Sequence, residues 1–258
     1  MNIEILGEKV IRDNKIIILK IKNNVFKIPF SVSSAKEMMT EKERIKQAKN
    51  DSFFSQYLPV YKFFSIIQII PYMDSSHEDY NFYIKKYFEK SFSESLNWER
   101  VKLSGLIDNY FLEFIEKYVL KEYSFFHDYL EKNSLPLSSS HGDFHEGNIL
   151  FYGNKLYFID WSRYNKHSSR YFDLYDYYIF SKKNKGTSWI KIWEEEFNLE
   201  KKKILGVSVN RNYLLTYGIW KVSEDLRVLK LGNKLNKFKI KKYLNFIKIF
   251  KKLNLDFK

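Results

Sequence analysis

The stretch Ser138–Tyr164, SSSHGDFHEGNILFYGNKLYFIDWSRY, decides how this chain is read. Asn148–Tyr152 and Lys155–Ile159 are short apolar runs separated by Gly153-Asn154, and a pair of that type between two strands predicts a tight hairpin. Pairing about the turn sets Asn148 opposite Ile159, beside Asp160, at the open end of the hairpin. Asp143 lies five residues before Asn148, in the irregular segment entering the same end. Two carboxylates and an amide oxygen thus converge. All are hard oxygen ligands, a set that suits Mg²⁺, which takes one or two carboxylates and keeps places for substrate phosphates.

The three groups divide into two roles. A phosphoryl acceptor hydroxyl needs an oriented carboxylate to take its proton late in the transfer, while a metal neutralises charge on the phosphates. The spacing gives Asp143 the first role and Asn148 with Asp160 the second. The order His141-Gly142-Asp143, four residues, Asn148, then Asp160 follows the protein-kinase catalytic loop, in which His-Arg-Asp, four residues and Asn precede a metal-binding Asp. An alternative reading makes His141, Asp143 and His145 a hydrolase metal cluster. It leaves Asn148 and Asp160 unexplained, and no third ligand follows at a recognisable spacing. His145 by itself reads as a loop residue.

HGDFHEGNILF followed by IDW resembles the aminoglycoside phosphotransferase and choline kinase family, small-molecule kinases with a protein-kinase-like fold. The strong similarity covers residues 140–176; the remainder agrees in architecture. The resemblance implies Asp143 as catalytic base, Asn148 and Asp160 as metal ligands, His141 as the histidine that orders the loop, and Asp173 in YFDLYDYY as a structural residue. It implies ATP and Mg²⁺, and transfer of the γ-phosphoryl group to a hydroxyl. It also implies a strand lysine that pairs the nucleotide phosphates, supported by a helix glutamate. Lys27 in VFKIPF occupies the third strand. Glu41 is the choice for its partner, with Glu37 and Glu43 as alternatives. The chain departs from the family in two places. Gly7 is the only glycine in the first hundred residues, so a glycine-rich phosphate loop is nearly absent. Ser162, followed by Arg163, stands where many relatives carry an acidic residue, which leaves open one metal ion or two.

Around this centre the periodicity changes once. Ile3–Leu6, Lys15–Lys22 and Asn24–Pro29 read as β-branched strands, and Ser33 or Ser34 can cap a helix to about Lys49 with Met38, Ile45 and Ala48 inward. Strands follow near Val60–Phe64 and Ile66–Ile70 until Pro71, which cannot donate to a ladder. After it come helical patterns over Leu106–Val119, Asp173–Phe180, Ile190–Phe197 and Arg211–Leu231. The expectation is an α+β, two-lobed protein-kinase-like fold. Residues 1–70 form a small antiparallel nucleotide-binding lobe, and 71–258 a larger helical lobe for catalysis and acceptor binding.

Composition narrows the partners. The chain has 258 residues, 45% hydrophobic, with no Cys, which excludes a disulfide framework and thiolate-held metals. MNIEILGEKV lacks a basic region before an apolar core, and the longest uncharged apolar run, Phe63–Met73, has 11 residues, against about 20 for a span. A soluble, cytoplasmic protein is expected. Of 44 basic residues 37 are Lys, whereas phosphate recognition favours the planar Arg fork; nucleic acid is not expected. The net charge of +13 disfavours polycationic acceptors by steering and points to a sugar or cell-envelope glycan hydroxyl. An aminoglycoside- or choline-type acceptor and a non-catalytic kinase-like binding domain are the alternatives. Tyr171, Phe172, Tyr175, Tyr177 and Tyr178 could cage a quaternary ammonium or simply form core. Near the C-terminus, Lys237, Lys241, Lys248 and Lys252 recur on one side of a helical pattern, with Ile240, Tyr243, Leu244, Ile247 and Phe250 on another. That stripe can pack on the protein or make weak contact with an anionic membrane.

Overall fold

The computed structural model describes residues 3–11, 14–93, 97–183, 187–199, 203–231 and 235–255. Its strands are Ile3–Ile11 (β1), Asn14–Ile21 (β2), Asn24–Pro29 (β3), Lys62–Phe64 (β4), Ile67–Pro71 (β5), Arg100–Lys102 (β6), Ser134–Pro136 (β7), Ser138–Ser140 (β8), Ile149–Tyr152 (β9), Lys155–Phe158 (β10), Asn165–Ser168 (β11), Lys203–Ile204 (β12) and Val207–Ser208 (β13). Its helices are Val32–Lys49 (α1), Tyr80–Ser91 (α2), Tyr110–Val119 (α3), Tyr123–Lys132 (α4), Arg170–Ser181 (α5), Trp189–Asn198 (α6), Arg211–Leu231 (α7) and Lys237–Leu255 (α8). The chain forms two compact units, one of residues 1–84 with 139–166, the other of 85–138 with 167–258.

In the first unit, β1 to β5 make an antiparallel sheet in the order β1-β2-β3-β5-β4. The register sets Lys27 between Ile18 on β2 and Gln68 on β5. Helix α1 turns Met38, Glu41, Ile45 and Ala48 inward. Its start differs from expectation: Ser31 is the cap, accepting from the Ser34 backbone N–H at 3.0 Å, while Ser34 Oγ accepts in return from the Ser31 N–H at 2.9 Å. This reciprocal box satisfies two otherwise orphaned amides, which is why the helix begins at Val32 rather than after Ser33. The hairpin of β9 and β10 pairs Phe158 with Ile149 and Lys155 with Tyr152, turning at Gly153 with φ +55°. A bridge between Asp74 and Phe151 ties it to the chain leaving the sheet.

The second unit is mostly helical, with an aromatic core. Phe250 of α8 meets Phe126 and Tyr129 of α4 at ring distances of 5.3 and 5.1 Å, and Phe246 meets Trp193 of α6 at 5.0 Å. Gly218 lets α7 approach closely, since a Cβ there would lie 2.8 Å from the Trp193 ring. The helix expected from Leu106 begins only at Tyr110, because a 3₁₀ turn over Leu103–Gly105 precedes it; Ile107 is buried in the bend between them. Phe172 stacks on Trp220 at 4.5 Å, and Tyr171, Tyr175 and Tyr177 are buried, so these four rings are core; Tyr178 is half-buried and donates its hydroxyl to Glu196 at 2.6 Å. Tyr243, Ile247 and Phe250 are likewise buried while the four lysines of the stripe are exposed. The apolar face of α8 is spent on packing. No helix among the described residues is long and apolar enough to cross a membrane.

Candidate active site

The loop between β8 and β9 is held by groups buried beneath it. His141 is fully buried and its Nε2 lies 3.0 Å from the Ile159 carbonyl oxygen; the carbonyl can only accept, so Nε2 carries the proton. Burial depresses its pKa to about 4, outweighing the attraction of Asp143 and Asp160. The imidazole is therefore a neutral strut, wedged against Trp161 at 4.7 Å. Gly142 follows with φ +79°, and a Cβ there would fall 2.5 Å from the Arg163 carbonyl oxygen. Only glycine meets both demands. Phe144 then buries itself against Phe158 at 4.8 Å, which leaves Asp143 facing outward between two anchored neighbours.

Asn148 ends the loop. Its Nδ2 donates to the Asp143 carbonyl at 2.9 Å and lies 3.2 Å from His145 Nε2. With the amide nitrogen engaged, the amide oxygen is the group left for the cavity. Across the hairpin mouth the Ile159 N–H donates to the Asn148 carbonyl at 3.0 Å, so Asp160 emerges next to Asn148. Asp160 takes the left-handed conformation, φ 62° and ψ 61°, an unusual state for a residue with a Cβ and one that clusters at functional sites. Ser162 Oγ donates to its Oδ1 at 3.1 Å. Arg163 Nη1 reaches Asp143 Oδ1 at 3.4 Å, and His145 Nε2 stands 3.9 Å from Asp143 Oδ2.

The sheet supplies the other wall. Lys27 Nζ meets Glu41 Oε2 at 2.5 Å, and Gln68 Nε2 lies 3.4 Å from Glu41 Oε1. Glu43, one of the alternatives, instead pairs with Lys46 at 2.7 Å. Burial opposes the charge on Lys27, but Glu41, Asp160 and Glu37 outweigh it and hold the ammonium pKa above its ordinary value. Lys27, Glu41, Asp143, Asn148 and Asp160 all line one cavity of about 370 Å³, whose apolar walls are Ile18, Val25, Ile70 and Ile159. A cavity of that size, apolar with a few convergent polar groups, is what a small organic ligand needs. Every lining residue belongs to the first compact unit.

The donor set fits a magnesium ion. One carboxylate and one amide oxygen, both hard and on buried residues, leave coordination places for phosphate and water. Among the described residues no group of three or more His, Asp or Glu could hold a metal ion, and His141 is committed to Ile159, so the hydrolase cluster does not assemble. Two participants were not legible as such. His145, read as a loop residue, touches Asn148 and accepts from the Gly147 N–H at 3.1 Å. Gln68 meets Glu41, and the signal for it was present: it is the one polar residue in Ile66–Ile70.

No protein-family model matches the chain, and no curated protein matches it in sequence. Solved structures match it in fold. A choline/ethanolamine kinase family protein from Mesorhizobium loti aligns at TM-score 0.54 and 16% identity, over 98% of this chain and 88% of that one. A putative fructosamine-3-kinase from Haemophilus somnus aligns at TM-score 0.55 and 13% identity, over 98% and 91%. Aminoglycoside phosphotransferase APH(2'')-Ib, solved with ADP, aligns at TM-score 0.52 and 14% identity, over 98% and 92%. The chain thus has the α+β fold of protein-kinase-like small-molecule kinases, the fold class expected from its sequence.

Proposed function

We propose that this chain is an ATP-dependent phosphotransferase that moves the γ-phosphoryl group to a hydroxyl of a small molecule, a sugar or a cell-envelope glycan. The observation that carries the reading is the meeting of Asp143, Asn148, Asp160 and the Lys27–Glu41 pair on one cavity. In this reading Lys27, steadied by Glu41, binds the donor phosphates, and Asp143 orients the acceptor hydroxyl and takes its proton. The acceptor oxygen bonds to the γ-phosphorus as the bond to the β–γ bridging oxygen breaks, and that electron pair departs with ADP. Asn148 and Asp160 would hold Mg²⁺, which when bound neutralises charge on the phosphates. The fold likeness to a fructosamine-3-kinase, an aminoglycoside phosphotransferase and a choline/ethanolamine kinase family protein supports a small-molecule acceptor. The net charge of +13 supports a neutral or anionic one over a polycation.

We also read residues 1–70 as the nucleotide-binding lobe and 71–258 as the catalytic and acceptor-binding lobe, in a protein working in the cytoplasm, where ATP is supplied. The sparse glycine content of the first strands supports one rival, a kinase-like domain kept for binding alone. Calorimetric titration separates the two. Mg²⁺-dependent ATP binding by the native chain, weakened at least tenfold in Asp160→Ala, is the expected result. Failure of both proteins to bind ATP with or without Mg²⁺ would overturn the phosphotransferase reading.

A further inference from the structure

The positive charge of this chain is gathered at one end. Residues 230–258 carry ten Lys and one Asp, a net +9, which leaves +4 of the total +13 for residues 1–229. Over those first residues acids nearly balance the lysines, whereas between Asp225 and Asp256 there is no acid at all. Helix α8 lies inside that stretch, and its side chains divide by face. Tyr243, Phe246, Ile247 and Phe250 are buried in the second unit, and the flanking Lys242 and Lys251 meet Asp225 and Glu122. The remaining face carries Lys237, Lys241, Lys248 and Lys252, all exposed. Steps of four, seven and four residues keep them in one row about 22 Å long. Among the described residues none of the four is paired with a carboxylate. Phe238, 78% exposed, stands beside Lys237 at the head of the row.

We propose that this lysine row docks the chain, peripherally and reversibly, on an anionic lipid bilayer. The proposal goes beyond the phosphotransferase reading and does not depend on it. A single phosphate or carboxylate is too small to use a row whose neighbours stand about 6–10 Å apart along the axis. A plane of mobile anionic headgroups can meet all four lysines at once, and each lysine held at such a surface strengthens binding about fivefold. Nucleic acid is the poorer match. Helix α8 contains no Arg, the residue whose planar fork grips phosphate in two places, and the Phe238 ring beside the row suits a headgroup layer that admits apolar side chains. Because the apolar stripe of α8 is already buried, the helix does not sink toward the acyl chains as a free amphipathic helix does. The attraction is electrostatic, and salt weakens it.

The test is co-flotation of the full chain with vesicles of phosphatidylcholine, alone or with about 30 mol% phosphatidylglycerol. Binding to the anionic vesicles should exceed binding to the neutral ones about a hundredfold and fall about tenfold as salt rises from about 0.1 to 0.5 M. Lys237→Gln, Lys241→Gln, Lys248→Gln and Lys252→Gln combined should weaken it about fiftyfold, after a discount for solvent screening. Arg at the same four positions should keep it. A control removes equal charge from exposed lysines elsewhere: Lys62→Gln, Lys155→Gln, Lys166→Gln and Lys203→Gln combined should cost about threefold at most, which separates the row from net charge. If the first variant fails to melt cooperatively, the pairs at 237 with 241 and at 248 with 252 carry the comparison, each losing about half of the effect on a logarithmic scale. Equal binding to both vesicles, wild-type binding by the folded row variant, or an equal loss in the control would overturn the proposal. So would a random-sequence DNA duplex that strips the chain from anionic vesicles at an equal concentration of phosphate.

Discussion

At residue scale, the burial of His141 under the catalytic loop makes the fold sensitive to acid. Its pKa lies near 4 in the folded chain because burial penalises the charged ring, against about 6.5 when unfolded. A depressed folded value means stability that is complete above about pH 6.5 and is lost as pH falls toward 4. Linkage sets the loss between pH 7.5 and pH 5 at about 2 kcal/mol. Thermal melts at the two pH values should show that slope in the wild type and a flatter one in His141→Gln, whose amide can still donate to Ile159. A slope unchanged by the substitution would move the acid sensitivity elsewhere. The loop's order was legible because four residues between Asp143 and Asn148 leave the backbone few ways to turn. The left-handed state of Asp160 was not, since nothing local demands it of an aspartate.

Helix α1 shows what an element adds. It carries Glu41 to Lys27, so its two ends must be held. The Ser31–Ser34 box holds the first. At the second, Asp51 accepts from the Phe53 and Phe54 amides at 2.8 and 2.9 Å and from the Tyr164 hydroxyl at 2.8 Å. Burial would raise the Asp51 pKa, but these bonds and one from Ser139 hold it below the usual carboxylate range. Losing the cap should cost about 1 kcal/mol. Ser31→Ala should therefore lower the chemical-denaturation midpoint. The exposed Ser33 should tolerate alanine within about 0.5 kcal/mol. Equal losses at both sites would count against the box. The sequence reading found the helix and its inward face but placed the cap at Ser33 or Ser34 instead of Ser31, because neighbouring serines look alike until the chain direction leaving β3 is known.

Over the whole molecule, charge and packing act separately. The C-terminal lysines inflate the net charge, yet α8 earns its place through Tyr243, Phe246, Ile247 and Phe250 inside the second unit. Ending the chain after Asn236 should abolish its near-ultraviolet circular dichroism and its cooperative melt, since several large aromatic side chains, each worth about 3–5 kcal/mol in a core, go at once. Replacing Lys237, Lys241, Lys248 and Lys252 together by Gln should leave the melting temperature within a few degrees. A truncated chain that still melts cooperatively would show α8 to be an appendage.

What the sequence determined alone is whatever short covalent distance controls: the hairpin about Gly153-Asn154, its register, and with them the meeting of Asn148 and Asp160 behind Asp143. Two-residue turns and a period of two along a strand leave little choice. Only the tertiary structure decided which of Glu37, Glu41 and Glu43 meets Lys27, that Gln68 joins them, and that Arg163 approaches Asp143 from 20 residues away. Those pairings depend on how a helix rotates on a sheet and how a turn packs on a loop. In a chain with 44 basic residues, spacing alone does not show which carboxylate each of them meets.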